Sequence, residues 1–248
     1  MIDMGKKVAE QLVDTLIEAG VRRIYAVTGD SLNEVNEAVR QNEAMKWIHV
    51  RHEETGAYAA GAEAQLTGLP GCCAGSSGPG HVHLINGLYD AHRSGAPVIA
   101  IASTIPTGEF GTEYFQETNT IKLFNDCSFY NEVATTPQQF PRMLQSALQT
   151  ATTRKGVAVI GLPGDLAKKP AAQVESSEQI YPLASSVCPA EEDLIRMAGM
   201  LNHYGRITLF CGIGCKGAHE EIIRMSEILN APVAYTFKGK MEVQYDNP

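Results

Sequence analysis

The residues best equipped for chemistry stand at His52-Glu53-Glu54, where the apolar stretch "KWIHV" runs into the small-residue segment "TGAYAAGAEAQLTG". Two adjacent carboxylates in the first turn of a helix admit two readings. Acids there are favoured by the helix dipole, which also keeps them ionised, so the pair can be a structural cap. The same place, after a strand, is where α/β proteins build sites, so one acid can serve in proton transfer. Spacing alone leaves both open.

Four other stretches carry candidate chemistry. "GSSGPGHVH", Gly75 to His83, is a turn rich in backbone N–H groups that feeds a helix. It suits an anion or a closely approaching cofactor, or is simply a tight connection. "GIGCKG" places Gly212, Gly214 and Gly217 in a GxGxxG pattern after a strand. The acid expected at the end of the next strand is replaced by Phe237 and Lys238, which disfavours ordinary NAD binding. A nucleotide-related turn and a structural turn both remain. His81 and His83 lie two apart, with His92 further along. Histidines at i and i+2 do not share a helix face, so no metal site is expected. "EYFQETN", Glu113 to Asn119, lies in a long loop and can line a pocket or plug a sheet edge.

These residues need a scaffold, and the periodicity supplies one. Val8, Ala9, Leu12, Val13, Leu16 and Ile17 recur at helical spacing up to Gly20. "RRIYAVTGDS" reads as a strand and "SLNEVNEAVRQ" as a helix with Ser31 as its cap. "KWIHV" is a strand, Glu53 to Thr67 a helix, "GCCAG" a strand, and residues 80–94 a single helix. "APVIAIAS" and "GVAVIGLPGD" are near-continuous apolar strands, with a helix over 137–153 between them. The alternation predicts a three-layer α/β domain around a parallel sheet. Its ligand side is the set of loops after strands: Thr28 to Asp30, His52 to Glu54, Gly75 to Gly80 and Ser103 to Glu117. From Lys168 to about Val187 the pattern lapses, as in a linker, before a further helix and a strand–turn–helix–strand unit. The division expected is a domain over 1–175, a linker over 176–188 and an incomplete, Rossmann-like α/β domain over 189–248. About sixty residues with two strands cannot cover both faces of a parallel sheet. The chain is therefore expected to be a piece of a longer protein.

Bulk properties narrow the classes. The chain has 248 residues, 44% hydrophobic and 19% charged, with net charge −8 and no run of Lys or Arg longer than two. That composition argues against nucleic acid as a partner. Its six cysteines form no CxxC pair and are expected to be reduced, in a cytoplasmic protein. Glu10, Asp14 and Glu18 in the first helix are foreign to a secretory signal, and no apolar run reaches a membrane span.

Taken together, "RRIYAVTGDSLN", "VRHEETGAYAAGAEAQLTG", "GSSGPGHVHLINGLYDAHRSGAPVIAIAS", "EYFQETN", "GVAVIGLPGDLA" and "LFCGIGCKGAH" resemble the thiamine diphosphate-dependent enzymes along essentially the whole chain. "VTGDSLN", "DAHRSGAPV" and "YFQET" look like the pyruvate oxidase and pyruvate:quinone dehydrogenase branch. The resemblance implies three domains: one for the cofactor's pyrimidine, one for FAD, and one for the diphosphate through Mg²⁺. This chain would hold the first and the start of the second, and alone would be inactive. The family's catalytic glutamate maps to Glu53, which pairs with a pyrimidine nitrogen and favours the imino form that activates the thiazolium for attack on pyruvate. Gly78, Pro79, Gly80 and Asn86 are implied beside the cofactor, and Gly29, Asp30, Phe115 and Gln116 on the substrate side. Gly212, Gly214 and Gly217 are implied as a flavin-domain turn. No metal ligand is implied within this chain. A homodimer or homotetramer with its site between subunits is also implied, and peripheral membrane contact of the full-length protein is compatible with it. Acetolactate synthase-like chemistry, or a non-catalytic nucleotide-binding or dimerisation module, are the competing readings. The determinants of electron acceptor and product would lie largely outside this chain.

Overall fold

The computed structural model describes residues 5–172 and 188–245. By internal contacts the chain divides into two compact units, residues 1–185 and 186–248. The expected linker over 176–188 lies outside the described residues except for Cys188.

The first unit alternates helices and strands. α1 (Val8–Glu18) leads to β1 (Arg23–Ala26), α2 (Asn33–Arg40), β2 (Lys46–His49), α3 (Glu53–Thr67) and β3 (Gly71–Gly75). After them come α4 (Pro79–Val82), α5 (Ile85–Arg93), β4 (Val98–Thr104), α6 (Thr120–Phe124), β5 (Tyr130–Val133), α7 (Phe140–Arg154), β6 (Val157–Pro163) and α8 (Gly164–Ala167). The six strands form one parallel sheet in the order β2-β1-β3-β4-β6-β5. β3, β4 and β6 are buried along their whole length because helices cover both faces. Period-two alternation splits their side chains between two cores. Cys72, Ile99, Ile101, Ala158 and Ile160 face one core with α1, α2 and α7. Cys73, Val98, Ala100, Val157 and Val159 face the other with α3 and α5. Burial pushes the Cys73 thiol up to about 12 and Cys127 to about 11, so both behave as small apolar residues.

The alanine- and glycine-rich face of α3 is used inside this unit. A Cβ on Gly87 of α5 would stand 2.6 Å from the Ala57 Cβ, and one on Gly61 would stand 3.1 Å from the Ala91 Cβ. Small residues therefore let α3 and α5 pack closely.

Two expectations need correction. The single helix over 80–94 is two helices, because His83 and Leu84 form a joint in which Leu84 N–H bonds the His81 carbonyl three residues back. Ser31 does not cap α2. It lies inside a 3₁₀ turn, Asp30–Leu32, and its hydroxyl accepts the Ser77 N–H at 2.9 Å. α6 and β5 carried no expectation. β5 is a half-buried edge strand of four residues, too short for a clear alternation.

In the second unit, α9 (Glu191–His203) precedes β7 (Leu209–Cys211), α10 (His219–Leu229), β8 (Val233–Tyr235) and α11 (Lys240–Val243). β7 and β8 pair in parallel, and Cys211, Ile222 and Val243 form the core. α9 buries none of its residues. Rossmann-like α/β order is present, with only two strands among the described residues.

Candidate active site

In the first unit the sheet order reverses between β1 and β3: the chain runs outward to β2, then returns to the other side of β1. A crevice opens at such a switch point, at the carboxyl ends of the strands. The loops after β1, β2, β3 and β4 converge there.

Glu53 enters from α3. The helix is capped by neither acid but by His52, whose Nδ1 accepts the Glu54 N–H at 3.3 Å. Glu53 is thereby freed from capping and turned inward, with only 8% of its surface exposed. Its Oε2 lies 3.0 Å from Nδ1 of His83, at the end of α4. His83 in turn stacks on His52, with ring centroids 4.4 Å apart. Glu54 lies outside this pairing, where its Oε1 accepts the Asn86 amide at 3.3 Å. Asn86 therefore reaches the neighbour of Glu53 rather than Glu53 itself.

The Gly78-Pro79-Gly80 turn faces the other carboxylate oxygen. A Cβ on Gly80 would stand 2.4 Å from Ser76 Oγ and 3.4 Å from Glu53 Oε1, so glycine lets the turn close on Ser76 and leaves that oxygen uncovered on this side. Gly78 has φ +66° and ψ −122°, a conformation that essentially only glycine adopts. A Cβ there would also stand 2.7 Å from that of Gln116. Gln116 is held by the Ser77 hydroxyl at 3.0 Å and itself has φ +66°. Phe115 beside it is 79% exposed. Gly29 packs on the turn from the β1 side, where a Cβ would stand 2.5 Å from the Ser76 Cβ. Asp30 is exposed in the adjoining 3₁₀ turn. Thus Glu53, the Gly78–Gly80 turn, Gly29 and Gln116 form one neighbourhood. A cleft of about 680 Å³ lies beside the same loop, lined by Phe110, Tyr114, Thr118, Ile121 and Glu132, and does not include Glu53.

His83 carried no role in the sequence reading, which asked only whether it shared a helix face with His81. Its partner lies thirty positions away. The two histidines separate completely: His81 is buried, with Nδ1 2.8 Å from the Ser103 carbonyl. The donor atoms of His52, Glu53 and His83 lie within 4.8 Å of one another. The two rings are stacked with planes 26° apart, so their in-plane lone pairs do not converge on one ion as they stand.

In the second unit, the Gly212–Gly217 turn opens a 3₁₀ turn, Ile213–Cys215, and not directly a long helix. Its Gly217 N–H is spent on the Glu242 carboxylate at 3.2 Å. A phosphate would have to displace that acid, so the turn fits a dinucleotide pyrophosphate poorly.

A buried carboxylate braced by a histidine thus stands at the switch point of a parallel α/β sheet, beside a glycine turn, where such domains place their ligands. Residues 6–123 match the family "Thiamine pyrophosphate enzyme, N-terminal TPP binding domain". The "Uncharacterized 42.6 kDa protein in isoamylase 3'region" of Pseudomonas amyloderamosa is 50% identical over 98% of this chain and 61% of its own length. The pyruvate oxidase of Lactiplantibacillus plantarum is 34% identical over 89% of this chain and 37% of its own. The chloroplastic acetolactate synthase of Arabidopsis thaliana is 29% identical over 96% of this chain and 36% of its own. The chain thus spans less than two thirds of each of these relatives. No helix among the described residues is long and apolar enough to cross a membrane.

Proposed function

We propose that this chain supplies the pyrimidine-binding part of a thiamine diphosphate-dependent enzyme that decarboxylates pyruvate oxidatively, with Glu53 activating the cofactor. The observation that carries the reading is the state of Glu53. It is buried, one oxygen is committed to His83, and the other is left uncovered on the Gly80 side. A ring nitrogen that must be protonated and deprotonated in turn matches such an oxygen. Thiamine diphosphate, when bound, supplies an electron sink for breaking the bond between a keto carbon and its carboxylate. Glu53 then holds a proton at the pyrimidine nitrogen, and His83 fixes the direction of the carboxylate. The Gly78–Gly80 turn lets the ring approach, with Asn86 steadying the same helix turn through Glu54. Gly29, Asp30, Phe115 and Gln116 border the substrate side.

In this reading residues 1–175 are the pyrimidine domain and 189–248 begin an FAD-type domain. Mg²⁺ and most FAD contacts would fall in regions beyond this chain, and the engagement of the Gly212–Gly217 turn by Glu242 agrees with this for FAD. The site would be completed in a homodimer or homotetramer of a cytoplasmic protein, and the chain alone would not turn over. The likeness to acetolactate synthases over 96% of this chain supports a second reading, carbon–carbon bond formation from the same 2-oxo acid. The full-length protein decides between them when given pyruvate. Carbon dioxide release that depends on an added electron acceptor supports oxidation, and acetolactate formation without one supports the second reading.

A further inference from the structure

His81 is the buried titratable group that the proposed chemistry does not use. It is 1% exposed, and Phe124 packs its edge at a centroid distance of 5.9 Å. Its two nitrogens are both engaged. Nδ1 lies 2.8 Å from the Ser103 carbonyl and Nε2 lies 2.5 Å from Thr118 Oγ1. A carbonyl can only accept, so Nδ1 carries the proton. In a neutral ring Nε2 is then a lone pair, and the Thr118 hydroxyl must donate to it. Burial lowers the His81 pKa and keeps the ring neutral, against the smaller opposing effect of the Ser103 carbonyl.

The loop after β4 needs such a fastening. Glu113 and Gln116 both have positive φ, 58° and 66°, which costs backbone energy in a residue with a side chain. The tip is braced from within, since Glu117 accepts the N–H groups of Gly111 and Tyr114. The loop's start is held by Thr107 on Asp165, and around Glu117 the body of the domain reaches it through two flanking bonds: Ser77 to Gln116, and Thr118 to His81. Both lead to the same place. The Ser31 hydroxyl accepts from Ser77, and the Ser103 hydroxyl lies 2.7 Å from the Ser31 carbonyl and 3.0 Å from that of Leu162. One hydrogen-bonded network therefore joins the loops after β1, β3 and β4 to strand β6.

We propose that His81 is a positioning residue: with its Nδ1 proton held by the Ser103 carbonyl, it fastens Thr118 and so sets Gln116 against the Ser77–Gly78 turn. The fastening itself rests only on these contacts. Its meaning for substrate rests on the function proposed above.

Amide hydrogen exchange on the 248-residue chain tests it without any need for turnover. Thr118→Val removes the donor and keeps the shape. Amides of residues 110–119 should then exchange about tenfold faster, while those of β3 and β4 keep their wild-type rates. Thr118→Ser, which restores the hydroxyl, should return the loop to wild type. Nitrogen-15 NMR of the histidine rings should show His81 protonated on Nδ1 in the wild type. Unchanged exchange at 110–119 in Thr118→Val would overturn the proposal, as would a proton on Nε2 of His81. Acceleration of β3 and β4 equal to that of the loop would also overturn it, by showing that the bond supports the core as a whole. These outcomes do not depend on whether the parent enzyme consumes pyruvate, so loss of that reading would leave the fastening intact.

Discussion

Nδ1 of His83 stands 3.0 Å from Oε2 of Glu53, and that contact joins the first residue of α3 to the residue that closes α4. It commits one carboxylate oxygen and leaves the other facing Gly80. In the function proposed here, the direction of that carboxylate sets how well it meets the pyrimidine nitrogen. His83→Ala should therefore lower kcat/KM of the full-length enzyme by about tenfold or more, with little change in folding. Steady-state kinetics together with a melting curve check this. An unchanged kcat/KM would remove His83 from the site.

The Gly78 backbone carries a conformation closed to other residues, and its missing Cβ gives Gln116 its place. Gly78→Ala should destabilise the chain by about 1–3 kcal/mol. Chemical denaturation reads this directly, and a cost near zero would show that the turn relaxes freely.

Gly80→Ala probes cofactor access together with the turn, because its Cβ would also stand 2.4 Å from Ser76 Oγ, so its stability is measured beside its affinity. Its new methyl group would stand 3.4 Å from Glu53 Oε1, on the side proposed for the pyrimidine. Thiamine diphosphate should bind the full-length variant more weakly by about tenfold. Equal affinity, measured by calorimetry, would place the cofactor elsewhere.

Asp165 gives a pH signature. Its burial alone would raise its pKa, but the Thr107 hydroxyl and N–H, with Lys169 nearby, outweigh that and hold it below the usual carboxylate range. A carboxylate with a depressed folded pKa contributes stability above its unfolded pKa and loses it as pH falls through the folded value. Asp165→Ala should thus cost about 1–2 kcal/mol at neutral pH, and the gap to wild type should narrow below about pH 4. Denaturation curves at several pH values test the sign. A gap that widens in acid would contradict it.

The sheet was legible where burial is two-sided. β3, β4 and β6 are continuous apolar runs because helices cover both faces, and α3 begins and ends where its residues indicate. β5 was not legible, because an edge strand of four half-buried residues has no distinctive pattern. The break at His83-Leu84 was hidden since helical spacing continues through it. In the site, Glu53 could be singled out by type and place, while capping falls to His52 through its ring nitrogen. His83 could not be found from spacing, because its meaning depends on a carboxylate thirty positions away. Ser31 was misjudged for the same reason: its partner, Ser77, is distant in sequence.

The most direct measurement is exchange of the cofactor's thiazolium C2 proton for deuterium in the full-length protein, wild type against Glu53→Gln. Loss of the carboxylate should slow exchange by about a hundredfold or more, with thiamine diphosphate still bound. Exchange at the wild-type rate in a fully loaded Glu53→Gln protein would contradict the role given to Glu53.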